Sequence, residues 1–337
     1  MLNPDTPALI LAPMQGVTDA PMRALQGEAG AFTFAISEFV RVNQEAVPKK
    51  VFLRYTPELL TDGLSPTGLP VQVQLLGGDA NRMAESAVIA CEAGAQAIDI
   101  NFGCPAPTVN RNDGGATLLK YPKRIREIVS AIRAAVPKEI PVSAKMRLGW
   151  DTLDAIYENA EMAAEGGASW LTIHGRTRVA GYAPPAHWEP IGQVRERLGI
   201  PVVANGDIWT LQDFRRCREA TGCRHFMLGR GAMANPLLPR QIARELGLLT
   251  SENEIKSEVE NTTEEGLPLA SRAEFDWAVP LQRLIDYSLF FDQRTPDQMV
   301  RRLKQWLKMA DQRGNFCDFD AIKRLETAEE LFAVLKA

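Results

Sequence analysis

Cys104, within Asn101-Phe102-Gly103-Cys104-Pro105, is the cysteine best situated for chemistry. Gly103 and Pro105 force an irregular turn, so the thiol stands on a loop rather than in a helix. A thiol with a pKa near ~8.5 can hand a proton to a developing carbanion. The nearby Gly114-Gly115-Ala116 is expected to let this loop close like a lid. Lys145 interrupts the apolar run VSAKMRL, and burying a lysine is costly unless its charge is used, here on an anionic ring edge or a phosphate. Arg147 shares its strand face. His174 opens His174-Gly175-Arg176-Thr177 and is a ligand-binding candidate. His187 and His225 are not at metal-ligand spacing, so no metal is expected. Asn205-Gly206-Asp207 and Gly229-Arg230-Gly231 are glycine turns of the kind that let backbone approach phosphate oxygens. Each feature has a plain structural alternative: a packed thiol, a solvated lysine, a core histidine, ordinary turns.

These residues fall at or near the ends of short apolar runs: 8–13, 32–39, 71–76, 97–102, 142–148, 169–174, 201–205 and 225–229. Near-continuous hydrophobicity in such runs fits strands buried on both faces. Between them, 80–94, 121–136, 153–164 and 211–220 carry apolar residues three and four apart, the helical period, with Gly94, Gly166 and Gly222 where C-caps belong. Eight such units up to residue 245 predict an α/β fold, a (β/α)8 TIM barrel, with a doubly wound sheet as runner-up. In a barrel, Gln74, Asn101, Lys145, His174 and Asn205 converge on the mouth formed by the strand C-termini. The stretch Gly229–Ala234 also fits G-x-G-x-x-A, but no further strand with a ribose-binding acid follows, so a dinucleotide site is discounted.

Residues 251–275 are acidic, rich in Ser and Thr and poor in large apolar residues, a linker or excursion. Helical periodicity resumes over 277–291, 296–310 and 320–336. The expected domains are therefore a barrel over 1–249, a linker over 250–276 and a small all-helical domain over 277–337. With 337 residues, 45% apolar and 24% charged, the chain is globular rather than disordered or fibrous. No apolar run reaches membrane-helix length and the N-terminus lacks a basic leader, so a cytoplasmic location is expected. Five cysteines without a CxxC pair are expected to be reduced thiols. A net charge of −4 argues against a wholesale polyanion binder but leaves a local basic patch open.

APMQGVTDAPMR (12–23), NFGCPAPTVNRNDGGATLL (101–119), KMRLGWD (145–151), HGRT (174–177), ANGDI (204–208) and MLGRGAMANP (227–236) together resemble the tRNA-dihydrouridine synthases, in order along nearly the whole chain. EFVRV (38–42) and RRLKQWL (301–307) look most like the subfamily acting on uridine 16, although Gln15 stands where that subfamily often has glutamate. The resemblance implies an FMN-binding TIM barrel, a helical tRNA-binding domain, and reduction of the uridine C5=C6 bond with NADPH as electron donor. It implies flavin contacts from Pro13, Met14, Gln15, Gln74, Lys145, His174, Arg176, Asn205, Gly206, Asp207, Gly229 and Arg230. Hydride from the flavin would reach C6, and Cys104 would protonate C5 from the opposite face. Arg41, Asn101, Tyr182, Arg302 and Lys304 would meet the tRNA, on a chain acting as a monomer.

The stretch 281–313 adds a basic face, with Arg283, Arg294, Arg301, Arg302, Lys304, Lys308 and Arg313 against four acids, which reads as an RNA footprint or as a solvated helix face. The competing functions are a flavin reductase of a free pyrimidine or small enone, a non-redox barrel enzyme for a phosphorylated metabolite, a catalytically silent RNA-binding module, and a dihydrouridine synthase acting at another position.

Overall fold

The computed structural model describes residues 2–249, 275–292, 295–317 and 319–335. Most of the acidic stretch expected to be a linker, and Arg294, lie outside the described residues. Eight parallel strands close into a barrel in chain order: β1 Ala8–Leu11, β2 Phe34–Arg41, β3 Val71–Leu76, β4 Ile98–Phe102, β5 Val142–Arg147, β6 Leu171–His174, β7 Val202–Asn205 and β8 His225–Leu228. The doubly wound alternative is thereby excluded.

Side chains alternate between the two faces of each strand. In β4, Ile98, Ile100 and Phe102 pack outward into the helix layer, which leaves Asp99 and Asn101 inside the barrel. Ile10, Phe34, Ile36, Trp170, Val203 and Met227 fill the barrel as a separate apolar cluster. Register then carries the polar tips around the mouth: Asn101 pairs with Lys145, Arg147 with His174, and His174 with Asn205. β2 runs two residues further than expected, so Arg41 ends that strand at the mouth.

Helix ends follow local chemistry. Asp19 and Asp79 accept N-terminal amides of the helices Ala20–Glu28 and Ala80–Glu92, and Thr210 with Asp213 forms a capping box on Leu211–Thr221. Gly222 ends that helix in the left-handed region, with φ +59.

The C-terminal helices pack on the barrel and share its main apolar cluster through Trp277, Leu281, Leu303 and Trp306. Ala278–Asp292 lies against Ala20–Glu28, where Glu28 accepts from Arg283 and from the Tyr287 hydroxyl, each at 2.7 Å. From Pro296–Asp311, Trp306 Nε1 donates to the Met233 carbonyl at 2.8 Å and Met309 reaches the cavity at the mouth. The helix expected over 320–336 is instead two, Phe319–Ile322 and Ala328–Leu335. Thr327 restarts the second: its hydroxyl accepts the Glu330 amide while the Glu330 carboxylate accepts the Glu326 and Thr327 amides.

Arg302 and Lys304, expected to meet the tRNA, also have partners within the protein. Arg302 makes a two-pronged ion pair with Asp19 and donates to the Val17 carbonyl at 3.2 Å, joining the helical part to the loop after β1. Lys304 Nζ donates to the Lys323 and Leu325 carbonyls at the break between the last two helices. Sequence shows the charge of a residue but not the acceptor that folding brings to it. Arg302→Ala is expected to lower stability by about 1.5–3 kcal/mol, as for loss of a charged hydrogen bond. A thermal melt superimposable on wild type would contradict that role.

Candidate functional site

A cavity of about 1120 Å³ opens at the strand C-termini, its lining drawn from barrel loops and Met309. Pro13, Met14, Gln15, Arg41, Asn101, Cys104 and Lys145 line it, as do His174, Tyr182, Asn205, Gly206, Asp207, Gly229 and Arg230. Four expected site residues do not: Gln74 and Arg176 are buried behind the wall, and Arg302 and Lys304 are engaged as described.

The Cys104 loop is braced on three sides. Asn101 Oδ1 accepts the amides of Gly103, at 2.9 Å, and Cys104, at 2.8 Å. Arg147 Nε donates to the Gly103 carbonyl at 2.8 Å while its Nη1 spans the Thr177 and Gly181 carbonyls. Behind the loop, the Ala116 amide donates to the Cys104 carbonyl at 3.1 Å. Gly115 has φ +61, and a Cβ there would meet the Cys104 carbonyl oxygen at 2.9 Å. At Gly115, then, glycine is required for close packing, a different role from the lid freedom expected of the glycine pair. Gly115→Ala should cost about 1–3 kcal/mol in backbone strain and loosen the turn. A lower melting temperature with faster alkylation of Cys104 would register it; wild-type values for both would contradict it.

Burial raises the Cys104 pKa, opposed by the Ala106 amide and the charges of Arg147 and Arg41, so the thiol is protonated at neutral pH. Across the cavity, Lys145 Nζ donates to Asn205 Oδ1 at 3.1 Å, and Asn205 Nδ2 donates to the Met227 carbonyl at 2.8 Å. Burial, with Arg147 nearby, lowers the Lys145 pKa to about 8, leaving it mostly cationic at pH 7. Burial and the surrounding Lys145, Arg147, Arg176 and Arg230 hold His174 well below its usual pKa, as neutral imidazole. Its Nδ1 has no partner within the protein.

Asp207 carries an ion pair to Arg176 on one side and a 3.7 Å contact to Arg230 on the other. Arg176 Nη1 is buried without a partner. Gly206 has φ +122, and a Cβ on Gly229 would lie 3.3 Å from Met14 Sδ, so both turns bring bare backbone to the cavity wall.

Around the expected Tyr182, the structure adds residues that sequence reading did not single out, among them Trp209, Trp150 and Glu38. Trp209 lies between two guanidinium groups, Arg313 at 3.5 Å and Arg230 at 4.9 Å from its ring centre. Tyr182, well exposed, is flanked by Arg230 at 4.8 Å and Arg147 at 5.4 Å. Trp150 is contacted by Lys120 and Arg178. Glu38, its pKa raised by burial, accepts the Gly16 amide and fixes the loop carrying Gln15. The signal for the rim was interleaved Trp, Tyr and Arg in strand-end loops, which becomes a pattern only when the barrel closes.

A family model described as dihydrouridine synthase matches residues 10–318. The chain belongs to the dihydrouridine synthase family. Among its relatives is the tRNA-dihydrouridine(16) synthase of Shewanella oneidensis, 42% identical over 97% of both chains. The protein of that name from Haemophilus influenzae is 41% identical, with 96% of this chain and 97% of the relative covered. Of solved structures, histamine dehydrogenase from Rhizobium sp. 4-9 matches with a TM-score of 0.54 at 14% identity, over 71% of this chain and 46% of that one. At that identity the likeness shows the fold alone. Within the matched region, the Gly103-Cys104-Pro105 turn carries Cys104 to the cavity, and the glycine pair beyond it supplies the Gly115 packing position.

Proposed function

We propose that this dihydrouridine synthase reduces the C5=C6 bond of uridine 16 in the tRNA D-loop to 5,6-dihydrouridine, with FMN as cofactor and NADPH as electron donor. One observation carries the reading: a protonated thiol, Cys104, is braced in the same cavity as Lys145, His174 and Asn205. The position within tRNA rests on the names of relatives that match over nearly their full length.

The residues fit a flavin mononucleotide. His174, which lines the cavity, has an unpartnered Nδ1, and Gly206 and Gly229 clear the backbone approach. Lys145, still cationic, and neutral His174 suit an electron-rich ring edge, with Pro13, Met14 and Gln15 against its body. Asn205 acts by orienting Lys145. Asp207 acts by holding Arg230 at the cavity wall, where it can meet a phosphate, with Arg176 bracing the carboxylate from behind. Gln74 acts one layer back, through Asn101. The flavin mononucleotide, when bound and reduced, would supply the hydride for C6.

Cys104 supplies the proton for C5. Its raised pKa keeps that proton on sulfur until carbanion character develops, and the Ala106 amide with the charges of Arg147 and Arg41 stabilises the thiolate left behind. Asn101 keeps one amide hydrogen for the base, its other polar positions being used on Gln74 and the loop. Tyr182 offers an exposed ring to the extruded nucleotide, and Arg41 a charge to the backbone. Extruding a base costs a few kcal/mol from a duplex and less from a loop, which phosphate contacts can offset. On this reading the barrel does the chemistry and the segment 277–337 helps hold tRNA in a cytoplasmic, metal-free, monomeric enzyme.

Dihydrouridine mapped in tRNA from cells lacking the protein is expected to vanish at position 16 alone. Loss at 17, 20 or 20a with position 16 intact would overturn the assignment.

A further inference from the structure

Beneath the mouth, a chain of hydrogen bonds runs from the barrel core to the Cys104 turn. Asp99, fully buried, accepts from Ser143 Oγ and from Gln74 Nε2, each at 2.6 Å. Gln74 Oε1 accepts from Asn101 Nδ2 at 2.8 Å, and Asn101 Oδ1 accepts the Gly103 and Cys104 amides. The two ends are of fixed polarity: a carboxylate can only accept, and backbone amides can only donate. Each carboxamide between them has one orientation that satisfies both neighbours; flipping either sets two donors or two acceptors face to face, buried. Burial raises the Asp99 carboxyl to about 6 even though the Ser143 and Gln74 donors and the Lys145 charge favour the carboxylate.

We propose that Asp99 is a positioning residue for the proposed reaction: by fixing which way the Gln74 and Asn101 carboxamides point, it holds the Cys104 turn in the geometry that faces the cavity. The catalytic half of this inference rests on the function proposed above; the structural half does not.

Hydrogen exchange at the Gly103 and Cys104 amides tests it in the full-length, flavin-loaded chain without tRNA. Asp99→Leu removes the accept-only anchor and Gln74→Met cuts the chain in its middle, so both should speed exchange at these two amides by about tenfold or more, with strands β6 to β8 unchanged. Asp99→Asn should stay near wild type, because its carboxamide oxygen still accepts from Gln74 while its amide hydrogens turn to Ser143 Oγ. Should Asp99→Leu fail to fold, Gln74→Met and Asp99→Asn carry the comparison. Wild-type exchange in Gln74→Met, or exchange in Asp99→Asn as fast as in Gln74→Met, overturns the proposal. In the same preparations, dihydrouridine formation should fall about tenfold or more in Gln74→Met but not in Asp99→Asn. Loosened amides with undiminished dihydrouridine formation overturn the catalytic half. A wild-type chain that makes no dihydrouridine yet shows the exchange pattern overturns the function and spares the relay.

Discussion

Cys104→Ala is expected to keep its flavin and accept electrons from NADPH at the wild-type rate, yet to lose about 10²–10⁴-fold in the tRNA-dependent half-reaction, the usual contribution of a positioned proton donor. The split follows from where the residue sits. Cys104 lines the cavity on a turn held by Asn101, Arg147 and the Gly115 contact, whereas the groups assigned to the cofactor stand on the loop after β1 and on β5 to β8 with their loops. Removing one sulfur leaves those groups intact. Stopped-flow spectra of the flavin separate the two halves: first with NADPH alone, then with tRNA added to reduced enzyme. Equal loss in both halves would mean that the thiol shapes the cofactor site; no loss in either would remove it from the reaction.

Glu58→Ala is expected to be the most damaging substitution for stability. Arg23 and Glu58 form a two-pronged pair at 2.8 Å with both side chains fully buried, and Arg23 also donates to the Thr18 and Tyr55 carbonyls. Losing the carboxylate strands a guanidinium in a dry interior, which typically costs 3–5 kcal/mol. At this chain length that corresponds to roughly 4–7 °C in melting temperature. The harm should reach function, because Arg23 anchors the segment after β1 and Tyr55 lines the cavity. Arg23→Met added to Glu58→Ala should recover much of the loss, since no unpaired charge remains buried. A single variant melting within 1–2 °C of wild type, roughly the effect of a surface change, would show that water reaches the pair.

The barrel was legible in the sequence because strands covered on both faces must be apolar, so each polar residue near a strand end stood out. Lys145, His174 and Asn205 could be read in this way, and register brings them together. Gln74 was read as a mouth residue by the same logic, but it lies two residues short of the strand end and turns into the core. Local spacing does not reveal how far strands are staggered around a closed barrel. Arg302 and Lys304 are read from the family resemblance and from their charge, neither of which shows that folding supplies Asp19 and two carbonyls as partners. The rim of Trp209, Tyr182 and their arginines joins loops far apart in the chain, and no short-range pattern announces it. Gly115 was recognised as part of a motif, whereas its requirement for close approach to Cys104 is a tertiary fact.

The most direct measurement is a crystal structure of the flavin-loaded chain with tRNA bound. Cys104 Sγ should stand within about 3–3.5 Å of C5 of an extruded uridine 16, on the side of the base away from the flavin ring. A sulfur turned from the base and sealed off by its loop, with the nucleotide fully seated, would contradict the account.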